Sequence, residues 1–262
     1  MAKITAIVNQ KGGVGKTTTA LNLSYALSLK GKKVLLIDFD PQASLTSALN
    51  VSTNSRPNIN TLMLQIIGDE EIKDKGIINV KKNLDLIPSS LELAGAEMAL
   101  INAISGEMVL RLIVEDLRQD YDNIIIDCSP SLGRLTINAL TATDSVLIPV
   151  TPEYLSAKGL ELLANSIKKI KRMLNPKLTI DGILITMAKE RTNLAKEMIN
   201  MINSSGGFIK KITGEKTKVF KTIIPISIKT GEAILNKQSI IEYESKNKVA
   251  QRYKEFAIEW DK

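Results

Sequence analysis

The 262-residue sequence contains no histidine and one cysteine, Cys128. The first absence excludes a Ser-His-Asp triad, a histidine general base and a His-ligated zinc. The second excludes a disulfide framework and any two-cysteine metal knuckle within one chain. Aromatic residues are only 4% of the chain, and its five tyrosines are scattered rather than clustered in a tail. No run approaches the ~18 to 20 consecutive apolar residues of a membrane span. The N-terminus reads straight into a strand, without a basic segment and cleavable apolar stretch, which predicts a cytoplasmic protein. Internal repeats, low-complexity tracts and Pro/Gly/Ser-rich linkers are also missing.

What is present is an ordinary globular composition, 44% apolar and 24% charged, with a net charge of +7. The charge is unevenly distributed. Residues 1–150 carry 14 Lys/Arg against 16 Asp/Glu, whereas residues 151–262 carry 21 against 12. The whole basic excess therefore lies in the C-terminal part, as a lysine-rich solvated surface or a polyanion-binding face. Apolar runs of strand length are expected at 4–8, 34–37, 84–87, 124–126, 146–150, 180–185 and 219–224. Helical periodicity lies at 18–30, 108–120, 156–174 and 194–204, with surface loops at 51–60 and 206–218. Near-continuous Val/Ile/Leu strands alternating with helices predict a single α/β domain spanning 1–262. Its mostly parallel twisted sheet would be flanked by helices on both faces.

The sharpest signal follows the first strand: Asn9-Gln10-Lys11-Gly12-Gly13-Val14-Gly15-Lys16-Thr17-Thr18, then a helix. A glycine-rich turn lets successive backbone N–H groups face phosphate oxygens. The helix adds its positive end, Lys16 adds a full charge and Thr17 offers a hydroxyl to Mg²⁺. Lys11, Gly12, Gly13, Val14, Gly15, Lys16, Thr17 and Thr18 are thus the candidate nucleotide-binding residues. Gln10 occupies the first glycine position of the simple G-x-x-x-x-G-K-[ST] pattern. Three aspartates, Asp38, Asp40 and Asp127, each follow the end of an apolar strand. That is where ligands bind in open α/β sheets, and two or three carboxylates near Thr17 suit Mg²⁺. Without histidine, hydrolysis there must rest on positioning, metal and lysine charge, which suits phosphoryl transfer.

The form Lys-Gly-Gly-x-Gly-Lys-Thr-Thr, with Lys11 five residues before Lys16, resembles the deviant Walker A motif of the ParA/MinD superfamily of P-loop NTPases. Leu35–Ser44 resembles the second motif of ParA-type proteins, and Ile124–Gly133 their Walker B and switch II. Leu147–Val150 with Pro152-Glu153, and Thr222–Pro225, match in order and spacing. The resemblance covers nearly the whole chain and is to ParA-type partition ATPases, close to the short, Soj-like members. It departs at Ser129, where proline is usual, and at Ile226 and Ser227, where Arg and Asn often follow the late proline.

The resemblance implies ATP and Mg²⁺ as cofactors and an ATP-dependent homodimer in which Lys11 reaches the partner's nucleotide. It also implies slow hydrolysis, with Lys16 on the phosphates and Asp40 orienting the attacking water. Thr17 and Asp127 would serve the Mg²⁺ shell, Asp38 would assist it, and Pro225 and Ser227 would lie at the base. Partners would be nonspecific DNA on the nucleoid and a ParB-type centromere-binding protein that stimulates turnover. The segment Thr186–Leu194 resembles the part of Soj-like proteins bearing a DNA-contacting arginine, here Arg191, flanked by Lys189 and Lys196. Lys218, Lys221 and Lys248 would extend the stripe, together with other lysines of residues 210–248. Lacking a recognition helix or aromatic platform, such a stripe predicts phosphate contacts without base readout.

Three other readings are weighed by sequence. A metallocluster carrier of the same superfamily needs paired cysteines. A MinD-like membrane positioner should end in a detachable basic amphipathic helix. Here Val249, Tyr253, Phe256, Ala257 and Trp260 share one face at helical spacing, as a docked core helix would, so stable membrane association is not expected. An ATPase positioning another cargo shares every motif with the partition reading. With the first expected strand so near the start of the sequence, specific operator binding is not expected.

Overall fold

The computed structural model describes residues 1–53, 56–153, 156–189, 193–214 and 217–262. The expected alternation runs through it. Strand β1 (Lys3–Ile7) leads to helix α1 (Lys16–Leu29), β2 (Val34–Phe39), α2 (Ser44–Ala48), α3 (Ile59–Ile67), β3 (Ile78–Lys81) and β4 (Leu84–Ile87). The middle third adds α4 (Leu93–Asn102), α5 (Val109–Glu115), β5 (Asn123–Cys128), α6 (Arg134–Ala142) and β6 (Ser145–Val150). The remainder is α7 (Ser156–Met173), β7 (Thr179–Ala188), α8 (Asn193–Thr213), β8 (Val219–Pro225), α9 (Ile228–Leu235), α10 (Ile240–Tyr243) and α11 (Lys248–Trp260).

Among the described residues, eight strands form one sheet in the order β3-β4-β2-β5-β1-β6-β7-β8. Every pairing is parallel except β3 on β4, at the edge. The continuous apolar runs resolve into two alternating sets, because successive strand residues face opposite sides. Ile4, Ala6, Leu35, Ile37, Ile124 and Ile126 pack with α3, α5, α6 and α7 on one face. Ile7, Val34, Leu36 and Ile125 pack with α1, α2, α10 and α11 on the other. Both faces are covered, as a parallel sheet requires.

The sequence of strands reverses about β1, which pairs with β5 on one side and β6 on the other. The crevice at the C-terminal ends of β1, β5 and β2 is therefore the switch point where such sheets bind ligands.

One expected loop is corrected. Within the surface loop expected at 206–218, residues 206–213 are helical, since α8 continues through Gly206 and Gly207 to Thr213. A side chain at 206 would bring its Cβ within 2.4 Å of the Thr217 carbonyl oxygen, so this glycine permits close backbone approach and does not break the helix. The helix expected at 108–120 is shorter, ending at Glu115.

The C-terminal helix is docked, as its pattern predicted. Val249, Tyr253, Phe256, Ala257 and Trp260 are all buried. Trp260 Nε1 donates to Asp181 Oδ2 at 2.8 Å, and the Lys3 ammonium lies 2.9 Å from the same carboxylate and 4.2 Å from the indole centroid. Glu259 accepts from the Lys221 and Thr222 amides at 2.7 and 2.9 Å. It thereby covers part of the open edge of β8 that could otherwise pair with another chain. Among the described residues no helix is long and apolar enough to cross a membrane.

Candidate active site

The loop from β1 to α1 adopts a phosphate-cradling shape. Gly13 and Gly15 have φ of 71° and 80°, left-handed values that side-chain-bearing residues adopt only with strain. Gly15 begins α1 with no side-chain cap, so the first-turn N–H groups have no intrahelical acceptor and suit an anion. The loop is tied to the sheet at several points. Asn9 Nδ2 donates to the Pro149 carbonyl at 2.7 Å, and Asn9 Oδ1 accepts from the Lys11 amide at 2.9 Å. Thr186 Oγ1 donates to the Val14 carbonyl at 2.8 Å. Gln10, in the place of a glycine, donates to the Gly159 carbonyl at 3.1 Å.

The two loop lysines have different destinations. Lys16 is 7% exposed and its Nζ folds back to the Lys11 carbonyl at 3.2 Å. Burial lowers its pKa, opposed by the nearby Asp127, Cys128 and Asp40. Lys11 instead turns outward and forms an ion pair with Glu153, which follows β6.

The carboxylates come together as expected. Register places Asp127 of β5 beside Ile7 of β1 and Asp38 of β2, next to the loop. Asp127 is buried, and neither of its oxygens has a hydrogen-bond partner. Burial and the adjacent Asp38 raise its pKa well above the carboxylate range, with Thr17 and Lys16 opposing the shift. An unpartnered buried carboxylate beside a threonine hydroxyl fits a divalent cation that takes its remaining ligands from phosphate and water. Among the described residues no cluster of three or more acidic, histidine or cysteine side chains could hold a metal, so no all-protein cage competes with that arrangement.

Asp38 differs from Asp127. Its Oδ2 accepts from the Thr46 amide and hydroxyl at 2.8 and 2.7 Å. Burial pushes its pKa to about 6, despite those bonds. Asp38 therefore braces the start of α2 as well as facing Asp127. Asp40 is half-buried. Its Oδ1 accepts from the Gln42 amide at 2.9 Å, and its main-chain carbonyl accepts from Ser89 Oγ at 2.8 Å.

A family model for an AAA domain matches residues 2–180. The sporulation initiation inhibitor protein Soj of Bacillus subtilis is 43% identical over 264 residues, covering 99% of this chain and 98% of that protein. The chromosome-partitioning ATPase Soj of Treponema pallidum is 39% identical, covering 99% of this chain and 97% of that protein. The chain belongs to the ParA/Soj family of ATPases. Its fold also matches the crystal structure of cobyrinic acid a,c-diamide synthase from Mycobacterium smegmatis with bound ATP analogue and magnesium. That match has a TM-score of 0.81 at 31% identity, covering 98% of this chain and 93% of that one.

In this ParA/Soj chain a cavity of about 70 Å³ opens beside the loop, lined by Gly15, Thr18, Met187, Pro225, Ser227 and Tyr253 among others. It brings the expected Pro225 and Ser227 to the start of α1. Met187 and Tyr253 are additional lining residues; the unusual φ of 54° at Met187 has no short-range sequence signal. Ser227 is also committed locally, its side chain accepting from the Lys229 amide at 3.2 Å as the α9 cap.

The basic residues are not gathered into one spot. Lys189 follows the C-terminal end of β7, whereas Lys218 precedes β8, whose Val219 pairs with Ile183. Seven strand residues separate the two ends, roughly 20 Å. Lys248 opens α11 next to Val249 of the cavity wall, and Lys221 lies within β8. Arg191 lies outside the described residues, as does the side chain of Lys196. Cys128 is buried and, as expected, packs as a small apolar group.

Proposed function

We propose that this protein is an ATP-dependent dimerising Mg²⁺-ATPase. It binds DNA without sequence preference and partitions a plasmid or chromosome with a ParB-type partner. The observation carrying the reading is the divergence of the two loop lysines. Lys16 is buried at the loop's own phosphate cradle, while Lys11 projects away from it.

In this reading the loop N–H groups and Lys16 bind the β and γ phosphates. Asp127 and Thr17 hold Mg²⁺, which neutralises phosphate charge when bound. Asp40 orients the attacking water, and Pro225 and Ser227 lie at the base. Lys11 reaches the partner's nucleotide, so a complete site requires two subunits. Similarity to a chromosome-partitioning ATPase and to a synthase solved with an ATP analogue and magnesium supports ATP and Mg²⁺ as ligands. The docked α11 favours this reading over a membrane-targeting helix.

The expected outcome for Lys11→Ala is retained ATP binding with loss of dimerisation, read by sedimentation velocity with a nonhydrolysable analogue. A fully dimeric variant with normal turnover would reduce Lys11 to a surface charge and sink the mechanism.

DNA binding follows from pairing. One basic edge engages phosphates weakly, and two held together gain by effective concentration. DNA affinity should therefore be high with ATP, low with ADP or no nucleotide, and fall steeply with salt. Arg191→Ala should lower the ATP-state affinity about tenfold or more, as two phosphate contacts are lost per dimer. Equal affinity in every nucleotide state, or an unaltered Arg191→Ala, would contradict this arrangement.

A further inference from the structure

We propose that Glu153 is a positioning residue that holds the Lys11 side chain on its own subunit until two ATP-bound subunits meet. This rests on the reading that Lys11 serves the partner's nucleotide. The loops after β1 and β6 emerge from adjacent strands, and the bond from Asn9 Nδ2 to the Pro149 carbonyl fixes them together. The Lys11 amide is anchored on Asn9 Oδ1, so the backbone stays while the side chain is free to pivot. In that setting the Lys11 ammonium pairs with Glu153 across the two loops.

The pair has the properties of a release contact. Its side chains are 37% and 60% exposed, and exposed ion pairs contribute only ~0.2–1 kcal/mol. A triphosphate presented by another subunit carries several negative charges and outcompetes a single solvated carboxylate. A second cation stands at the same corner. Lys11 most strongly, then Thr151, and Lys189 just past the end of β7, hold the Glu153 carboxyl below its ordinary range. When Lys11 departs, Glu153 keeps Lys189 as a neighbour, so release strands no isolated charge. Glu153 thus sets the threshold of protein concentration at which ATP-loaded subunits pair.

The test uses the full chain with Mg²⁺ and a nonhydrolysable ATP analogue, without DNA, diluted through the monomer–dimer transition in the ultracentrifuge. Glu153→Gln should tighten the dimer. Opening each contact is worth roughly 1.5- to 5-fold, and two open per dimer, so the dissociation constant should fall roughly 2- to 25-fold. Glu153→Ala should shift it in the same direction, which separates loss of the carboxylate from any effect of the new amide. Lys189→Gln should shift it the other way, because Glu153 then loses one of the groups that stabilise its charge once Lys11 leaves. Analogue affinity at monomeric dilution should be the same for all of these proteins, a result a general structural defect would not give. An unchanged or weakened dimer for both Glu153 variants, while Lys11→Ala abolishes pairing, overturns the role of Glu153 and leaves the dimer mechanism intact. Normal pairing by Lys11→Ala overturns both.

Discussion

Lys16→Ala is expected to lower ATP affinity by two to three orders of magnitude. Lys16 is the buried cation of the loop, 7% exposed, and Asp127, Cys128 and Asp40 oppose the desolvation by which burial lowers its pKa. Its hydrogen bond to the Lys11 carbonyl keeps the ammonium at the mouth of the cradle rather than in solvent. Truncating one member of a buried, hydrogen-bonded charge pair typically costs about 2–5 kcal/mol, and each 1.4 kcal/mol is tenfold in affinity. The remaining N–H groups and the helix end are partial charges and do not replace it. Isothermal titration would read the loss directly.

Thermal unfolding gives a second readout. At a hundredfold excess over its dissociation constant, ATP stabilises the wild type by ~2.7 kcal/mol, or roughly 5–10 °C for a chain of this length. The variant should show almost none of that shift. Wild-type affinity in Lys16→Ala would remove the phosphate-loop assignment.

Different parts of this site were legible in the sequence to different degrees, and the reason is range. The loop is determined by ten consecutive residues and the strand before them, so its shape, its left-handed glycines and its inward lysine follow from local order. The aspartates were legible as strand ends because parallel strands share one direction. Their convergence also required β2, β5 and β1 to be neighbours, which the chain order alone does not state.

The division of labour among the aspartates was hidden. Asp38 is engaged by Thr46, eight residues on, and Thr46 Oγ1 in turn accepts from the Ser89 amide at 2.9 Å. No periodicity announces such a chain of contacts. Asp127 has no comparable partner, and that contrast separates the two carboxylates. Glu153 belonged to a recognisable motif, but its contact with Lys11 spans 142 positions. Among the helices, α2, α3, α4, α6, α9 and α10 were missed, none of them longer than 10 residues. For α3 the signal was present, since the Asn58 side chain accepts from the Thr61 amide at 3.1 Å in a capping box. Gly206 misled for the opposite reason. Glycine usually reads as a break, whereas here packing against Thr217 selects it inside a helix.

Asp40→Ala should leave ATP binding and ATP-driven pairing in place while turnover falls about a hundredfold or more. Asp40 sits where the chain leaves β2, beside the loop, and its charge is felt by Lys16. Among the described residues only its Oδ1 has a hydrogen-bond partner, the Gln42 amide, so its other oxygen can accept from a water. Removing a side chain that positions and polarises a nucleophile typically costs 10²–10⁴ in rate. The turn itself should survive, because the Asp40 carbonyl, not its side chain, accepts from Ser89 Oγ and from the Ala43 amide. Losing the Gln42 bond removes only ~1 kcal/mol of local stability. The effect should therefore appear in kcat with KM nearly unchanged, the signature of an interaction made in the transition state and not in the ground state. With turnover blocked, hydrolysable ATP should hold the variant as a dimer for as long as a nonhydrolysable analogue holds the wild type. Phosphate release and sedimentation measured on the same samples decide the matter. Normal release would take the water-orienting role away from Asp40, and loss of pairing would show that its carboxylate supports the interface instead.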